Sequence, residues 1–250
     1  QNTIWNITRN VPTTIVIESG KSLTIQNCRI NMAEGTSIIV EPGASLVIDG
    51  AILTNGCGDM WDGIIVQGDA NANQAGTYPN LAQGLLTIKN DSRIEYALDA
   101  IRVWDPIDGG SISKSGGVVK ASKTIFLNNR RDVEFMRYCS NNANPSSFIR
   151  CTFEIDDDYR GAFEDLDDRV TMWAVNGIRF AGCSFQINNT SMTDIYERSG
   201  IFSIDAGYYI GASCDVSILQ RSDPCPETSI FRSEFKNFHY GVHATATNNH

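Results

Sequence analysis

Eight carboxylates lie within one fifteen-residue segment, residues 154–168. Five positions of this segment fall at offsets 1, 3, 6, 9 and 12 of an EF-hand-like loop, in which oxygen ligands surround Ca²⁺: Asp156, Asp158, Gly161, Glu164 and Asp167. Arg160 stands where the fifth-position ligand belongs, and Asp167 replaces the usual bidentate Glu. The segment predicts either a solvated acidic loop or weak Ca²⁺ binding in a geometry other than the EF-hand, with the four named carboxylates as ligands.

A second group of residues could bind sugars. Strands stacked in register would place long side chains in one outward column: Ile65, Arg102, Glu134, Arg179 and His243. Polar side chains about 5 Å apart could line a groove for an extended polysaccharide, or could pair with one another on a solvated face. Three tryptophans lie beside the same strands and would stack on sugar rings if exposed, or fill the core if buried: Trp61, Trp104 and Trp173.

Histidine and cysteine positions suggest less chemistry. His239 and His243 are four residues apart and would share one face of a strand, but no third metal ligand accompanies them. Cys214 and Cys225 bracket a ten-residue segment that ends in proline, which predicts a disulfide closing an insertion. The remaining cysteines have no pairing that the sequence determines: Cys28, Cys57, Cys139, Cys151 and Cys183.

The elements that position these residues are repeats. Residues 13–35 and 36–58 are two copies of one pattern, because each apolar position of the first copy meets an apolar position 23 residues later. Glu18 and Gly20 of the first copy likewise match Glu41 and Gly43 of the second. A repeat of this length, made of short β-branched runs with glycine at fixed offsets, is typical of one coil of a solenoid.

Two short strand patterns continue along the chain. The first is a small residue, a spacer and a large apolar residue, at Cys28–Ile30, Ala51–Leu53, Ser92–Ile94, Thr124–Phe126, Cys151–Phe153, Cys183–Phe185 and Ser233–Phe235. Period-two alternation predicts that the small and large residues of this pattern both point inward. The second begins with a small residue or Asp and supplies the outward column, at Gly63–Val66, Ala100–Val103, Asp132–Phe135, Gly177–Phe180 and Gly241–Ala244.

Together the patterns predict an all-β, right-handed parallel β-helix with irregular loop insertions and about seven or eight coils. We expect residues 1–12 to form an N-terminal cap and residues 13–250 to form the β-helix. Because the last strand pattern ends just before the final residues, we also expect the natural protein to continue beyond residue 250. Ala51 and the cysteines of the small inward position would be buried filler.

Charge and hydropathy exclude several classes of protein. A net charge of −9 and an isoelectric point near 4.8 disfavour a nucleic-acid partner. The apolar runs have the length of strands, so no segment is expected to span a membrane. Seven cysteines without a CxxC pair disfavour a zinc or redox site and favour a secreted protein with one or two disulfides.

The repeats resemble a known group of proteins. The two coils at 13–58, the run at residues 57–68 and the run at residues 177–185 are similar to β-helix repeats of large secreted or surface proteins of Bacteroidetes-type bacteria. The resemblance implies a secreted or cell-surface location. The wider pectin-lyase-like superfamily, to which such repeats belong in the broad sense, supplies an enzymatic alternative.

The functional prediction therefore has two branches. The first is a non-catalytic structural, adhesin-like or glycan-binding scaffold, with a polysaccharide or another surface protein as partner. The second is a polysaccharide lyase or glycoside hydrolase acting on an outward face. The Gly-His-Gly and Arg-Ile-Lys motifs of polygalacturonase-like hydrolases do not occur, which favours the first branch. A carboxylate cluster and a basic residue converging in one groove would favour the second.

Overall fold

The computed structural model describes residues 2–56, 58–74, 80–105, 114–138, 143–191, 198–214 and 225–246. In these residues the chain winds through three parallel sheets of eight strands each, passing from one sheet to the next in every coil. One cluster of buried apolar side chains, drawn from all three sheets, fills the interior. The predicted parallel β-helix is confirmed.

Sheet 1 contains β1 (Asn2–Trp5), β4 (Ser22–Gln26), β7 (Ser45–Asp49), β10 (Leu85–Lys89), β13 (Val118–Ser122), β16 (Ser147–Ile149), β19 (Asn176–Ala181) and β22 (Gly207–Gly211). Sheet 2 contains β2 (Arg9–Val11), β5 (Arg29–Met32), β8 (Ile52–Asn55), β11 (Arg93–Glu95), β14 (Ile125–Leu127), β17 (Thr152–Ile155), β20 (Ser184–Ile187) and β25 (Glu234–Lys236). Sheet 3 contains β3 (Ile15–Ile17), β6 (Ser37–Val40), β9 (Trp61–Val66), β12 (Ala97–Val103), β15 (Arg131–Phe135), β18 (Val170–Trp173), β21 (Ser199–Ile204) and β26 (Tyr240–Thr245).

The first strand pattern forms the inner face of sheet 2. Its large residues are direct partners from coil to coil: Ile30, Leu53, Ile94, Phe126, Phe153, Phe185 and Phe235. Each small residue precedes its strand, and Ala51, Cys151 and Cys183 are buried. A parallel stack of identical strands therefore explains why small and large residues recur together.

The corner between sheets 1 and 2 has a fixed backbone conformation. Two residues beyond the inward sheet 1 ladder, six of the eight coils have a residue with positive φ: Asn27, Gly50, Asn90, Lys123, Arg150 and Gly182. Asparagine and glycine tolerate this left-handed region better than other residues do. The repeated turn aligns the strands that follow it.

The second strand pattern joins one sheet in four of its five occurrences. The runs at residues 63–66, 100–103, 132–135 and 241–244 fall within or overlap strands of sheet 3, whereas the run at 177–180 lies in β19 of sheet 1. The prediction that Arg179 belongs to the same column was therefore wrong. The alternation of inward and outward residues is identical in sheets 1 and 3, so it does not distinguish them.

The first and last coils carry two further features. Residues 1–12, predicted as a cap, contribute β1 and β2, which pair with β4 and β5 at the ends of sheets 1 and 2. Near the other end, β23 (Ser213–Cys214) pairs antiparallel with β24 (Ile230–Phe231). The predicted Cys214–Cys225 disulfide is present, with the Cα atoms 6.2 Å apart. None of the helices in the described part of the chain has the length and apolar character needed to cross a membrane.

Candidate functional site

A groove of about 260 Å³ lies on the outer face of sheet 3, across strands β15, β18 and β21. We call it the sheet 3 groove. Its polar and aromatic lining comes from three consecutive coils and includes Arg131, Glu134, Asp167, Asp168, Thr171, Trp173 and Phe202. Glu134, Thr171 and Phe202 are direct partners in the outward ladder, so the β-helix itself aligns them.

Arg131 is the electrostatic centre of the groove. Its guanidinium forms ion pairs with Glu134 and Asp167, and lies 3.7 Å from a carboxylate oxygen of Asp99. Burial disfavours the charged guanidinium, but the three carboxylates outweigh this effect, so the pKa of Arg131 lies above its ordinary value. Arg131 is therefore a permanent cation and cannot serve as a base.

Asp99 connects the groove to the preceding coil, through β12. Its carboxylate accepts two hydrogen bonds from Arg130, at 3.1 and 2.9 Å, and lies 3.6 Å from Arg102. Asp99 is almost completely buried, and three arginines surround it. A buried carboxylate requires such compensation, so this network also holds the outer face of sheet 3 in register.

Asp167 is held in its ionised form. Burial raises the pKa of its carboxyl, but the charge and hydrogen bonds of Arg131 outweigh that effect and leave the pKa below the ordinary value. By contrast, burial raises the pKa of the neighbouring Asp168, which accepts a hydrogen bond from the amide of Ser199. An ionised Asp167 can accept hydrogen bonds from a ligand but is poorly suited to act as a general acid.

The groove has an exposed aromatic wall. Half of the Trp173 surface is accessible to solvent, although the residue lies in a central coil. Phe202 is partly buried, and His243 of the next coil packs against its ring at 5.3 Å between centroids. An exposed tryptophan beside hydrogen-bonding carboxylates offers a flat apolar surface with polar groups at its edge.

The structure brings together part of the column predicted from the sequence. The outward ladder of sheet 3 runs through Val16, Ile39, Ile65, Arg102, Glu134, Thr171, Phe202 and His243. Ile65, Arg102, Glu134 and His243 therefore share one column, as predicted, although Ile65 is buried. Arg179 instead pairs with Ser147 and Tyr209 in sheet 1, and its guanidinium lies 5.0 Å from the centre of the Tyr209 ring.

The tryptophans have three different environments. Trp61 is completely buried and donates its indole N–H to the carbonyl of Glu95 at 2.9 Å, so of the two alternatives it fills the core and offers no face to a ligand. Trp104 is partly buried and donates its indole N–H to Glu134 at 2.6 Å, so it contacts a residue of the groove without lining it. Trp173 is the exposed one.

Sequence reasoning missed Asp99, Arg131, Thr171 and Phe202. Phe202 could have been found, because Gly200–Ser203 repeats the pattern of glycine, apolar, outward and small residues seen at Gly241–Ala244. Arg131 could not have been found in this way, because its ion pairs with Asp99 and Asp167 join residues from different coils. No local sequence pattern predicts such pairs.

The four predicted calcium ligands are not gathered around one point. Asp156 accepts hydrogen bonds from the Asn128 side chain and from the amide of Asp158. Asp167 pairs with Arg131, and Glu164 is exposed, on a short 3-10 turn. Within the described residues, no three His, Cys, Asp or Glu side chains are arranged to hold a metal ion.

Two further residues of the acidic segment contact neighbouring coils. Asp157 accepts hydrogen bonds from the amide and the hydroxyl of Thr190, at 2.6 and 3.0 Å. Arg160 lies over the ring of Tyr96, 3.9 Å from its centre. These contacts attach the insertion to the β-helix.

Comparisons with known proteins add little. No protein-family model matches the sequence, and no curated protein gives a significant match to it. One solved structure that matches is that of QnrB1, a plasmid-mediated fluoroquinolone resistance protein, in a trypsin-treated form. The identity is 10%, the match covers 98% of this chain and 92% of that one, and the TM-score is 0.21. A similarity this low carries no argument about fold or function, so the fold rests on the strand pairing described above.

Proposed function

We propose that this chain is a secreted or cell-surface β-helical scaffold that binds a glycan in the sheet 3 groove without catalysis. The observation that carries the proposal is the exposed Trp173 beside the ionised, arginine-bound Asp167 in one groove. Sugar rings present apolar faces and a rim of hydroxyls, which match a tryptophan face and carboxylate acceptors.

Two further observations support the proposal. The hydroxyl of Thr171, in the floor of the groove, has no hydrogen-bond partner among the described residues. This hydroxyl is buried, and a buried polar group without a partner calls for a functional explanation. The Cys214–Cys225 disulfide supports an oxidising compartment, since such bonds seldom persist in the cytosol.

A glycan array followed by calorimetry on the retained sugars tests the proposal. We expect Trp173→Ala to weaken binding at least about tenfold. Tyr209→Ala is the matched control, because Tyr209 is 53% exposed against 50% for Trp173 but lies on sheet 1. Equal binding by wild type and Trp173→Ala, or retention of no glycan at all, would refute this function.

A second candidate function is supported by one specific observation. Glu134 and Asp167 converge with a basic residue, Arg131, in one groove, as a lyase or hydrolase would require. The ion pairs of Arg131 oppose this role, since they keep its guanidinium protonated and therefore unable to act as a base. Incubation with uronate polymers, followed by absorbance of the unsaturated product, distinguishes the two functions: sustained turnover that Glu134→Gln abolishes would establish a lyase.

A further inference from the structure

The sheet 3 groove has more negative than positive charge. Its lining contains three carboxylates and one cation: Glu134, Asp167, Asp168 and Arg131. All three nitrogens of the Arg131 guanidinium contact carboxylates, Nε and Nη2 that of Asp167 and Nη1 that of Glu134. The groove therefore offers a ligand hydrogen-bond acceptors rather than an unpaired cation.

Asp168 differs from the other two carboxylates of the lining. Those two pair with Arg131, whereas Asp168 forms no ion pair with any described residue. Its hydrogen-bond partners are neutral, since they are the amide and the side chain of Ser199. Burial and the charge of Asp167 raise the pKa of the Asp168 carboxyl, and its neighbours offset this only in part. A cation would stabilise this partly buried carboxylate.

The arginines nearest to Asp168 in the stacked chain serve other groups. Arg169 follows Asp168 directly, but it is fully buried and its guanidinium lies 3.4 Å from the carboxylate of Asp132. Arg198, which precedes β21, donates a hydrogen bond to the carbonyl of Glu164 at 3.0 Å. Within the described ranges, neither arginine forms an ion pair with Asp168. The negative charge of Asp168 is therefore available to a cationic ligand.

Trp173 adds a second group that attracts cations. Half of its surface is exposed, and the face of an indole ring attracts a positive charge as well as stacking on a sugar. Asp168 lies five positions before Trp173, on a segment that continues as the extended strand β18. The chain between them spans roughly 16 Å. A ligand that reaches both side chains must therefore contain more than one sugar unit.

We propose that the sheet 3 groove selects an oligosaccharide with free amino groups, and that Asp168 pairs with one protonated amine of this ligand. The proposal rests on the proposed function, in which the groove binds a glycan on Trp173. An ammonium group supplies a positive charge and several N–H donors, which match an unpaired carboxylate better than a hydroxyl does. Uronic acids and sulfated sugars would be repelled by the carboxylates of the groove and by a chain with net charge −9.

Calorimetry with a matched set of β-1,4-linked trisaccharides tests this selectivity. The members differ only at carbon 2, which carries a free amine in the glucosamine trisaccharide, an acetamide in its N-acetylated form and a hydroxyl in cellotriose. Slightly below neutral pH, the free amines are protonated. We expect the glucosamine trisaccharide to bind at least about tenfold more tightly than either of the other two.

Two matched variants locate the amine. Asp168→Asn keeps a side-chain oxygen for the amide of Ser199 and removes the charge. We expect it to bind the glucosamine trisaccharide about tenfold more weakly, at the level of cellotriose, and to leave the affinity for cellotriose unchanged. The control is Asp62→Asn, because Asp62 is partly buried like Asp168 and lies on β9 of the same sheet, outside the groove. Circular dichroism of each variant confirms that the β-helix is intact.

The outcomes separate amine selectivity from glycan binding. If all three trisaccharides bind equally and Trp173→Ala weakens each, the amine selectivity is overturned and the proposed function stands. If Asp168→Asn removes the amine preference while Trp173→Ala changes nothing, the amine site is supported and the role of Trp173 is refuted. Equal losses in Asp168→Asn and Asp62→Asn would show a general attraction of cations and overturn the proposal. Absence of binding by the glucosamine trisaccharide would also overturn it, while the glycan array decides separately whether the groove binds any sugar.

Discussion

The rings of Phe153 and Phe185 are stacked, with centroids 4.5 Å apart and planes at 8° to each other. Phe126 continues the stack on one side at 4.9 Å, and Phe235 continues it on the other at 4.6 Å. These rings are direct strand partners in sheet 2, so the spacing of the rings follows the spacing of the coils. The ladder therefore runs through four successive coils.

Phe153→Ala should destabilise the protein by about 3–5 kcal/mol, because it leaves a cavity between two rings that the strands hold in place. Phe163→Ala is the control, since Phe163 is 37% exposed and lies in the acidic insertion. It should cost much less. Urea unfolding followed by circular dichroism measures both changes, and equal losses would contradict the buried ladder.

Asp132 should make stability depend on pH. Asp132 and Arg169 are both fully buried, 3.4 Å apart. Burial raises the pKa of Asp132 to about 6 from an ordinary value of 3.8, although Arg169 and Asn129 lower it in part. Between these values the folded state binds more protons than the unfolded state. The free energy of unfolding contributed by this group therefore falls as pH rises through that interval.

Comparison with Asp132→Asn isolates the effect. The wild type should lose more stability than the variant between about pH 4 and pH 7, since the variant lacks the titrating group. Urea unfolding of both proteins across this range gives the difference directly. Parallel pH profiles would show that the Asp132 carboxyl does not titrate with a raised pKa.

The thiols should react in an order set by burial. Cys151 and Cys183 are buried and Cys28 is partly exposed. Burial raises the pKa of the Cys151 thiol, which further lowers its reactivity. We expect Cys28 to be alkylated before Cys151 in the folded protein.

The disulfide has a test of its own. Digestion under non-reducing conditions should give one peptide pair joined through Cys214 and Cys225. Free thiols at both Cys214 and Cys225, in protein from an oxidising compartment, would contradict the disulfide.

Much of the fold could be predicted because the same residue pattern recurs in successive coils. The residue pair Cys151 and Phe153 recurs as Cys183 and Phe185, and only a parallel stack places both members inward in every coil. The error at Arg179 has a physical cause as well. Only two residues separate the end of β18 at Trp173 from the start of β19 at Asn176, and loop length rather than alternation decides the sheet.

The candidate site could be predicted less well, because its contacts cross coils. Arg131 and Asp167 are 36 residues apart in sequence, and the insertion between their strands determines that they meet. Trp61 shows the same limit for a single residue, since the sequence allowed either burial or exposure of its side chain. Its hydrogen bond to the Glu95 carbonyl is visible only once the coils are stacked.

Asp167→Asn should test whether the ion pair with Arg131, or a bound Ca²⁺ ion, attaches the acidic insertion to the β-helix. The carboxylate of Asp167 pairs with Arg131, and this interaction lowers its pKa despite burial. A group with a lowered folded pKa stabilises the protein above its ordinary value of 3.8 and loses that contribution as pH falls through the folded value. We therefore expect the variant to be less stable by about 1 kcal/mol at neutral pH, and we expect this difference to shrink as the pH falls below 3.8.

The same two proteins test the calcium site, which stays a prediction. If Asp156, Asp158, Glu164 and Asp167 bind Ca²⁺, millimolar Ca²⁺ should raise the melting temperature of the wild type and protect residues 156–168 from protease, with a smaller effect in Asp167→Asn. If Asp167 only forms the ion pair with Arg131, calcium should change the melting temperature of neither protein. The difference in stability between the two proteins at neutral pH should then persist. The contacts of Asp156 and Asp167 with protein groups lead us to expect the second result. A calcium-dependent rise confined to the wild type would instead establish the metal site and place Asp167 among its ligands.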